Sequence, residues 1–419
     1  MKPEFFEKNR KKLCDQLLDQ SIMILFSGKA PRKSADEYYD FTPNKNFYYL
    51  TGITEANVIY AMKKVNNMVS ELLFIKEPNP LKEKWEGKTI SKEQAKYLSS
   101  VDQVVYLNDF HSFLSNELRS NHYETLYLDL EAHSFEEAES PSHKIAKDIQ
   151  KFYPNLKIEN LYHEICEMRV IKTEVEINKI KEAIEVTDKG IRNMLENAES
   201  YLWEYQLEAF FDFALKQNGN SNKAYKSIVA SGKNATILHY KDNNCQTKDG
   251  DLILLDLGAE RGLYKADISF TFPVNGKFTE RQKQIYNIVL KTLYAVEEII
   301  KPGLEFSRLN SVAKEILIKG CKEIGLIKED HQIKNYFYHG VSHFLGLDTH
   351  DVGSYHNRIL QPGMVITVEP GLYIDEEGIG IRIEDNILVT DTGYENLSKN
   401  IIRTVDEIEQ YMENHPIVV

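Results

Sequence analysis

Along the first 160 residues, short apolar runs alternate with polar stretches. SIMILFSG, NFYYLTG, ANVIYAM, ELLFIKE, QVVYLN and TLYLDLE have the length and the β-branched and aromatic content of strands. SKEQAKYLSS and SPSHKIAKDIQKFY, lying between them, read as helices. This alternation predicts an α/β domain. The pattern changes near residues 165–173. Thr173 and Glu176 form a T-x-x-E helix start, and Ile177, Ile180, Ile184, Ile191 and Leu195 follow at helical spacing. A second helix is predicted over LWEYQLEAFFDFALKQN, closed by Gly219. A third runs from Thr279 through Ile285, Ile288, Val289, Leu293 and Val296 to Pro302 and Gly303. The chain therefore reads as two α/β (α+β) domains, 1–168 and 169–419, with no fixed-period repeat.

Four acidic residues break the apolar pattern of the second half. Asp256 in DLILLDLGAE shares a strand face with Leu252 and Leu254 by alternation. In YKADISFTFP, Asp267, Ser269 and Thr271 point one way, and Ile268, Phe270 and Phe272 the other. Glu369 ends the apolar run of MVITVEPGLYI. GIGIRIEDNILV sets Gly380, Arg382 and Glu384 opposite Ile379, Ile381 and Ile383. One acidic residue in a strand is usually an edge or ion-pair residue. Four in apolar surroundings, with only Arg382 and Lys265 basic in their segments, need another source of positive charge, because an uncompensated buried carboxylate costs several kcal/mol. Divalent cations supply it. Four carboxylates with an imidazole make a hard, oxygen-rich site suited to Mn²⁺, with Fe²⁺, Co²⁺ or Zn²⁺ as alternatives.

Composition narrows the rest. The chain has 419 residues, 42% of them hydrophobic and 27% charged, enough to build a sizeable core. A net charge of −13 argues against nucleic-acid and anionic-membrane binding. No apolar run reaches membrane-spanning length, and the N-terminal MKPEFFEKNR lacks a signal-peptide core, so a cytoplasmic protein is expected. Cys14, Cys166, Cys245 and Cys321 form no CxxC pair and read as free thiols.

Three histidines crowd into YHGVSHFLGLDTHDVG: His339, His343 and His350. His339 and His343 have the spacing of HExxH, but Gly340 stands where that motif needs glutamate, so the zincin reading fails. Gly340, Gly346 and Gly353 argue against one continuous helix.

Taken in order, LLDLGAE, YKADISFTFP, HGVSHFLGLDTHDVG, TVEPGLY and GIRIEDNI resemble the pita-bread metallopeptidase family of methionine aminopeptidases, prolidases and Xaa-Pro aminopeptidases. HGVSHFLGLDTHDVG, VEPGLYI and GIGIRIEDN have the form of the Xaa-Pro aminopeptidase (aminopeptidase P) branch, and KSADEYYDFTPNKNFYYLTGI resembles the start of that branch's N-terminal domain. The resemblance implies a pita-bread catalytic domain over 169–419, preceded by a domain for substrate access and oligomer contacts. It implies Asp256, Asp267, His343, Glu369 and Glu384 as ligands of two divalent cations. Glu369 would also move protons, His239, His339 and His350 would meet substrate, and Tyr373 with Arg382 would support the site. Asp36 and Trp85 match residues near the substrate entrance in some relatives. The implied substrates are peptides with proline at the second position, and relatives are commonly dimers or tetramers. Prolidase, which cuts only Xaa-Pro dipeptides, shares these ligands and stays open, as does a metal-free binding module of the same fold. One departure stands out: Ala266 and Phe270 replace the usual serine and arginine of the second aspartate motif. Phe270 faces away from Asp267, which predicts altered packing or subunit contact and unaltered chemistry.

Overall fold

The computed structural model describes residues 1–120, 122–219 and 222–415. It divides into two units, Met1–Arg169 and Val170–Val419. In the first unit the apolar runs pair into one sheet of six strands: β1 (Ser21–Phe26), β2 (Ile59–Val65), β3 (Met68–Ile75), β4 (Gln103–Tyr106), β5 (Thr125–Leu128) and β6 (Lys157–Asn160). Their order is β4-β3-β2-β1-β5-β6. The β1–β2 and β2–β3 pairs are antiparallel, and the remaining pairs are parallel. Ile22, Ile24, Phe74, Leu126 and Leu128 pack against Phe110 and Leu114 of helix Phe110–Ser120 and Ile145 and Ile149 of helix Pro141–Phe152. Central strands buried on both faces explain why the runs are continuously apolar.

One predicted strand is a helix. NFYYLTG forms helix Lys45–Thr51, with the Asn44 side chain accepting from Phe47 N–H and Gly52 closing it at φ 71°. A short apolar run reads the same in a buried strand or a buried helix, and the cap residues at both ends decide here.

In the second unit the expected helix starts are present. Glu174–Glu196 opens on Thr173, whose N–H donates to Glu176 Oε2 at 2.8 Å. The following helix, Glu204–Gln217, packs against it across Gly190, where an added Cβ would lie 2.3 Å from the Phe211 ring. The third helix is Glu280–Glu298. Strands β7 (Ile228–Ser231), β8 (Leu252–Leu257), β9 (Glu260–Arg261), β10 (Tyr264–Lys265) and β11 (Ile268–Pro273) come before the histidine-rich segment. β12 (Val365–Val368), β13 (Gly371–Ile374), β14 (Ile379–Arg382), β15 (Asp385–Val389) and β16 (Tyr394–Asn396) follow it. The sheets are β11-β8-β7, β12-β15-β16, β13-β14 and the β9–β10 hairpin, all antiparallel.

Polar faces join these sheets. Thr271 Oγ1 donates to Arg382 O at 3.0 Å, and Glu384 N–H donates to Ser269 O at 3.0 Å. The opposite face of β11 is apolar, and Phe270 is fully buried within the chain beside Phe272. All four cysteines are free, and no described helix is long and apolar enough to cross a membrane.

Candidate metal and catalytic centre

The four out-of-place carboxylates converge. β8 and β11 pair with Asp256 opposite Ser269, one turn of the pleat from Asp267. Glu369 follows β12, and Glu384 lies between β14 and β15. The segment carrying His343 runs beside β12: Thr367 N–H donates to His343 O at 2.9 Å and Glu369 N–H to Val341 O at 2.8 Å. His343 Nε2 thereby stands 3.3 Å from Asp267 Oδ2 and 3.3 Å from Glu369 Oε1. A cavity of about 390 Å³ is lined by Asp256, Asp267, His343, Glu369 and Glu384, together with His239, His339, His350 and Arg382. Tyr373 stands behind this lining and is fully buried.

Ring tautomers follow from the partners. His343 Nδ1 lies 2.9 Å from Phe344 O, to which it donates, so Nε2 is the nitrogen turned towards the carboxylates. His339 Nδ1 lies 2.7 Å from Gly340 O, and its Nε2 accepts from Tyr373 O–H at 2.8 Å. The Arg382 guanidinium is fully engaged: Nη2 donates to Asp256 Oδ2 at 2.7 Å, Nε to Ser269 Oγ at 2.7 Å and Nη1 to Tyr373 Oη at 3.1 Å.

One guanidinium does not balance four carboxylates. Burial pushes Glu384 well above the usual carboxylate range, and Asp267, Glu369 and Asp256 push it further. Burial raises Glu369 to about 7, against the pull of His343. Asp256 is raised as well, by burial more than Arg382 lowers it. Burial alone would lower His343, but Asp267 and Glu369 outweigh it and hold it near 9. His339 moves the other way, to about 4, through burial and the neighbouring Arg382 and His239. Without cations, this is an electrostatically frustrated site.

A second observation tests whether a cation belongs here. Glu384 Oε2 accepts from Ser269 Oγ at 2.8 Å, while its Oε1 is buried with no hydrogen-bond partner. Ligand atoms of Asp267, His343 and Glu384 all lie within 4.8 Å of one another. An orphaned carboxylate oxygen beside an imidazole nitrogen turned towards the same carboxylates fits a divalent cation with hard oxygen ligands.

Sequence reasoning passes over Tyr225. Its hydroxyl lies between Asp256 Oδ1, at 2.5 Å, and Asp267 Oδ1. In NKAYKS the surrounding residues are mostly polar and form no apolar run, so nothing in the pattern marks it. Asp36 and Trp85 belong to the first unit, where Trp85 is 90% exposed.

Residues 178–391 match the model of metallopeptidase family M24, and residues 6–127 match that of the aminopeptidase P N-terminal domain. The chain belongs to metallopeptidase family M24. It is 34% identical to the Xaa-Pro aminopeptidase of Escherichia coli K12, over 97% of each chain. It is 30% identical to the Xaa-Pro dipeptidase of Mus musculus, over 97% of this chain and 93% of that one. Among solved structures, E. coli aminopeptidase P with the inhibitor Pro-Leu matches at TM-score 0.92 and 32% identity, over 99% of both chains. A Bacillus anthracis chain assigned to aminopeptidase P matches at TM-score 0.99 and 55% identity, over 100% of both. The family carries the two-domain, pita-bread reading of the fold and makes the chain a metal-dependent peptidase.

Proposed function

We propose that the chain is an Xaa-Pro aminopeptidase, hydrolysing the bond between the first residue of a peptide and a following proline. The observation that carries this reading is the convergence on one cavity of four carboxylates, one imidazole with Nε2 turned towards them and three further histidines. It does so in a chain matching Xaa-Pro aminopeptidases along its whole length. The relative's inhibitor, Pro-Leu, begins with proline, as does the product left when one residue is removed from Xaa-Pro-Leu.

Asp256, Asp267, His343, Glu369 and Glu384 would hold two divalent cations, Mn²⁺ first, with Co²⁺, Fe²⁺ or Zn²⁺ as alternatives. When bound, these supply Lewis acidity and lower the pKa of water towards neutrality. The remaining work falls to the chain. Glu369 takes the proton of the attacking water and returns one to the proline nitrogen, which must be protonated to leave. His239 and His350, both exposed on the cavity wall, are placed to donate to the oxygen of the scissile carbonyl as it gains charge. His339 stays neutral at working pH, its ring fixed between Gly340 O and Tyr373 Oη, so it forms a rigid wall of the cavity without competing positive charge. Tyr373 and Arg382 hold that ring and Asp256 in one network.

The reading extends to a homodimer or homotetramer in the cytoplasm. An Xaa-Pro dipeptidase is the second reading, favoured by the near full-length match to the mouse enzyme. Mn²⁺-loaded protein given Xaa-Pro-Xaa and Xaa-Pro peptides separates the two. Efficient release of the first residue from the tripeptide is expected. Cleavage confined to dipeptides would replace the proposal with the dipeptidase, and cleavage of neither would remove both.

A further inference from the structure

Glu204 is the first residue of helix Glu204–Gln217 and is 0% exposed. Buried carboxylates normally sit beside a cation. The five groups that donate to this one are neutral. Oε1 accepts from Ser231 N–H at 2.8 Å, Ser231 Oγ at 2.7 Å and Asn234 Nδ2 at 2.9 Å. Oε2 accepts from Tyr240 O–H at 2.7 Å and Cys245 N–H at 2.9 Å. The charge gains further support from its place at a helix N-terminus. Five donors around one carboxylate satisfy both its oxygens without an ion pair and fix its direction.

The donors fall on both sides of one segment. Ser231 and Asn234 precede His239, and Tyr240 and Cys245 follow it. The two oxygens of Glu204 therefore grip both flanks of the stretch that carries His239 into the cavity. Tyr240 gives the grip its leverage. Its ring is buried among Ile228, Ala230, Leu254 and Tyr373, and its hydroxyl reaches Glu204, while the adjacent His239 is exposed to the cavity. No hydrogen bond to another described residue fixes the His239 ring, so its direction is set by the backbone on either side.

We infer that Glu204 is a positioning residue for His239, a carboxylate clamp outside the cavity that sets where one substrate-facing imidazole points. The inference rests on the proposed role of His239 in hydrolysis. A double-mutant cycle tests it, using Mn²⁺-loaded protein and an Xaa-Pro-Xaa peptide, with Mn²⁺ affinity and the thermal midpoint measured alongside.

Glu204→Gln replaces one acceptor oxygen with a donor facing two donors. It should lower kcat/KM by ~10-fold with Mn²⁺ affinity unchanged, against ~100-fold for His239→Ala. In the His239→Ala background the same change should alter the rate by less than about 2-fold, because its route to the reaction is already gone. Tyr240→Phe, which leaves four of the donors in place, keeps the test available should Glu204→Gln fold poorly. A loss of ~3-fold with the same non-additivity is expected. In the cation-free protein the His239 ring signal in NMR, assigned by its disappearance in His239→Ala, should shift in Glu204→Gln while those of His339 and His350 stay in place. Equal loss with and without His239, or an equal fall in Mn²⁺ affinity, would overturn the clamp and leave the proposed function standing. An unimpaired His239→Ala would instead overturn the role given to His239, and the clamp with it.

Discussion

Glu384 and Asp385 are neighbours in the chain and equally buried, each 2% exposed, yet they meet opposite environments. Asp385 is provided for entirely by the protein. Its Oδ1 accepts from Arg403 and from Ser398 Oγ at 2.7 Å, and its Oδ2 from Asn396 Nδ2 at 3.0 Å. Burial would raise its pKa, but Arg403 and these hydrogen bonds outweigh burial and hold it below the usual value. Glu384 has one hydrogen bond, one orphaned oxygen and three other carboxylates for company, and its pKa rises. Successive strand residues face opposite ways, so one side of this backbone joins the structural interior and the other the cavity. A charge whose compensation is built into the chain serves the fold. A charge left short of partners is compensated by something the chain binds.

Exchanging each acid for its amide should therefore have opposite effects. Glu384→Gln should cut peptide hydrolysis by ~10³-fold or more, since it removes a proposed cation ligand. It should also stabilise the cation-free fold by ~1–3 kcal/mol, because it relieves repulsion among buried carboxylates. Asp385→Asn should cost ~3–5 kcal/mol by leaving Arg403 buried without its counter-charge. Denaturant unfolding of the two cation-free variants measures both effects. Destabilisation by Glu384→Gln as large as that by Asp385→Asn would break the contrast.

Protons and cations should compete on the Glu384 side alone. Glu369, with a pKa near 7 against an ordinary 4.5, keeps a proton in the fold that the unfolded chain releases between those values. Its contribution to the cation-free fold therefore becomes less favourable as pH rises through that window. Cations reverse the sign by favouring the charged form. EDTA should abolish activity and Mn²⁺ restore it. Mn²⁺ at a hundred times its Kd should add about 2.7 kcal/mol of stability at neutral pH, with less at pH 5.5. Calorimetry in buffers of different ionisation enthalpy should detect protons released on binding at pH 6.5. Binding without proton release would mean that the carboxylates are already charged and the frustration is absent.

This contrast also explains what could be read from the residues. Asp256, Asp267, Glu369 and Glu384 are visible because acids in apolar, strand-like segments contradict their surroundings. The alternation of ADISFTFP shows which side of β11 is polar, and Ser269 and Thr271 make their bonds on that side. Tyr225 and Glu204 break no strand-like apolar run, and the partners that bury them, Asp256 and Asp267 for one and Ser231, Asn234, Tyr240 and Cys245 for the other, lie far along the chain. Which of three histidines points at the carboxylates depends on pairing beside β12, which spacing does not encode. In the fold, long helices with clear starts are legible. Helix Lys45–Thr51 is not, because seven residues carry too few turns to show a period.

The smallest effect is expected at Glu297, the acid nearest Asp385 on the structural side. It lies on helix Glu280–Glu298 and is 4% exposed. Burial, then the charge of Asp385 and a hydrogen bond with it, push its pKa to about 9, so it keeps its proton at neutral pH and donates it to Asp385. The two acids titrate as a pair. The unfolded chain releases the Glu297 proton near 4.5 while the fold retains it until about 9, so this group makes the fold progressively less stable as pH rises between those values. Glutamine keeps a donor for Asp385 and an acceptor for Asn396 but has no proton to lose. Glu297→Gln should be nearly neutral at pH 5 and stabilise by roughly 1–3 kcal/mol at pH 9, with turnover at pH 7 within about 2-fold of the parent. Thermal midpoints of both proteins across pH 5–9 measure it. A gain that does not grow with pH would show that Glu297 is already charged, and that the chain tolerates a bare buried carboxylate on its structural side as well.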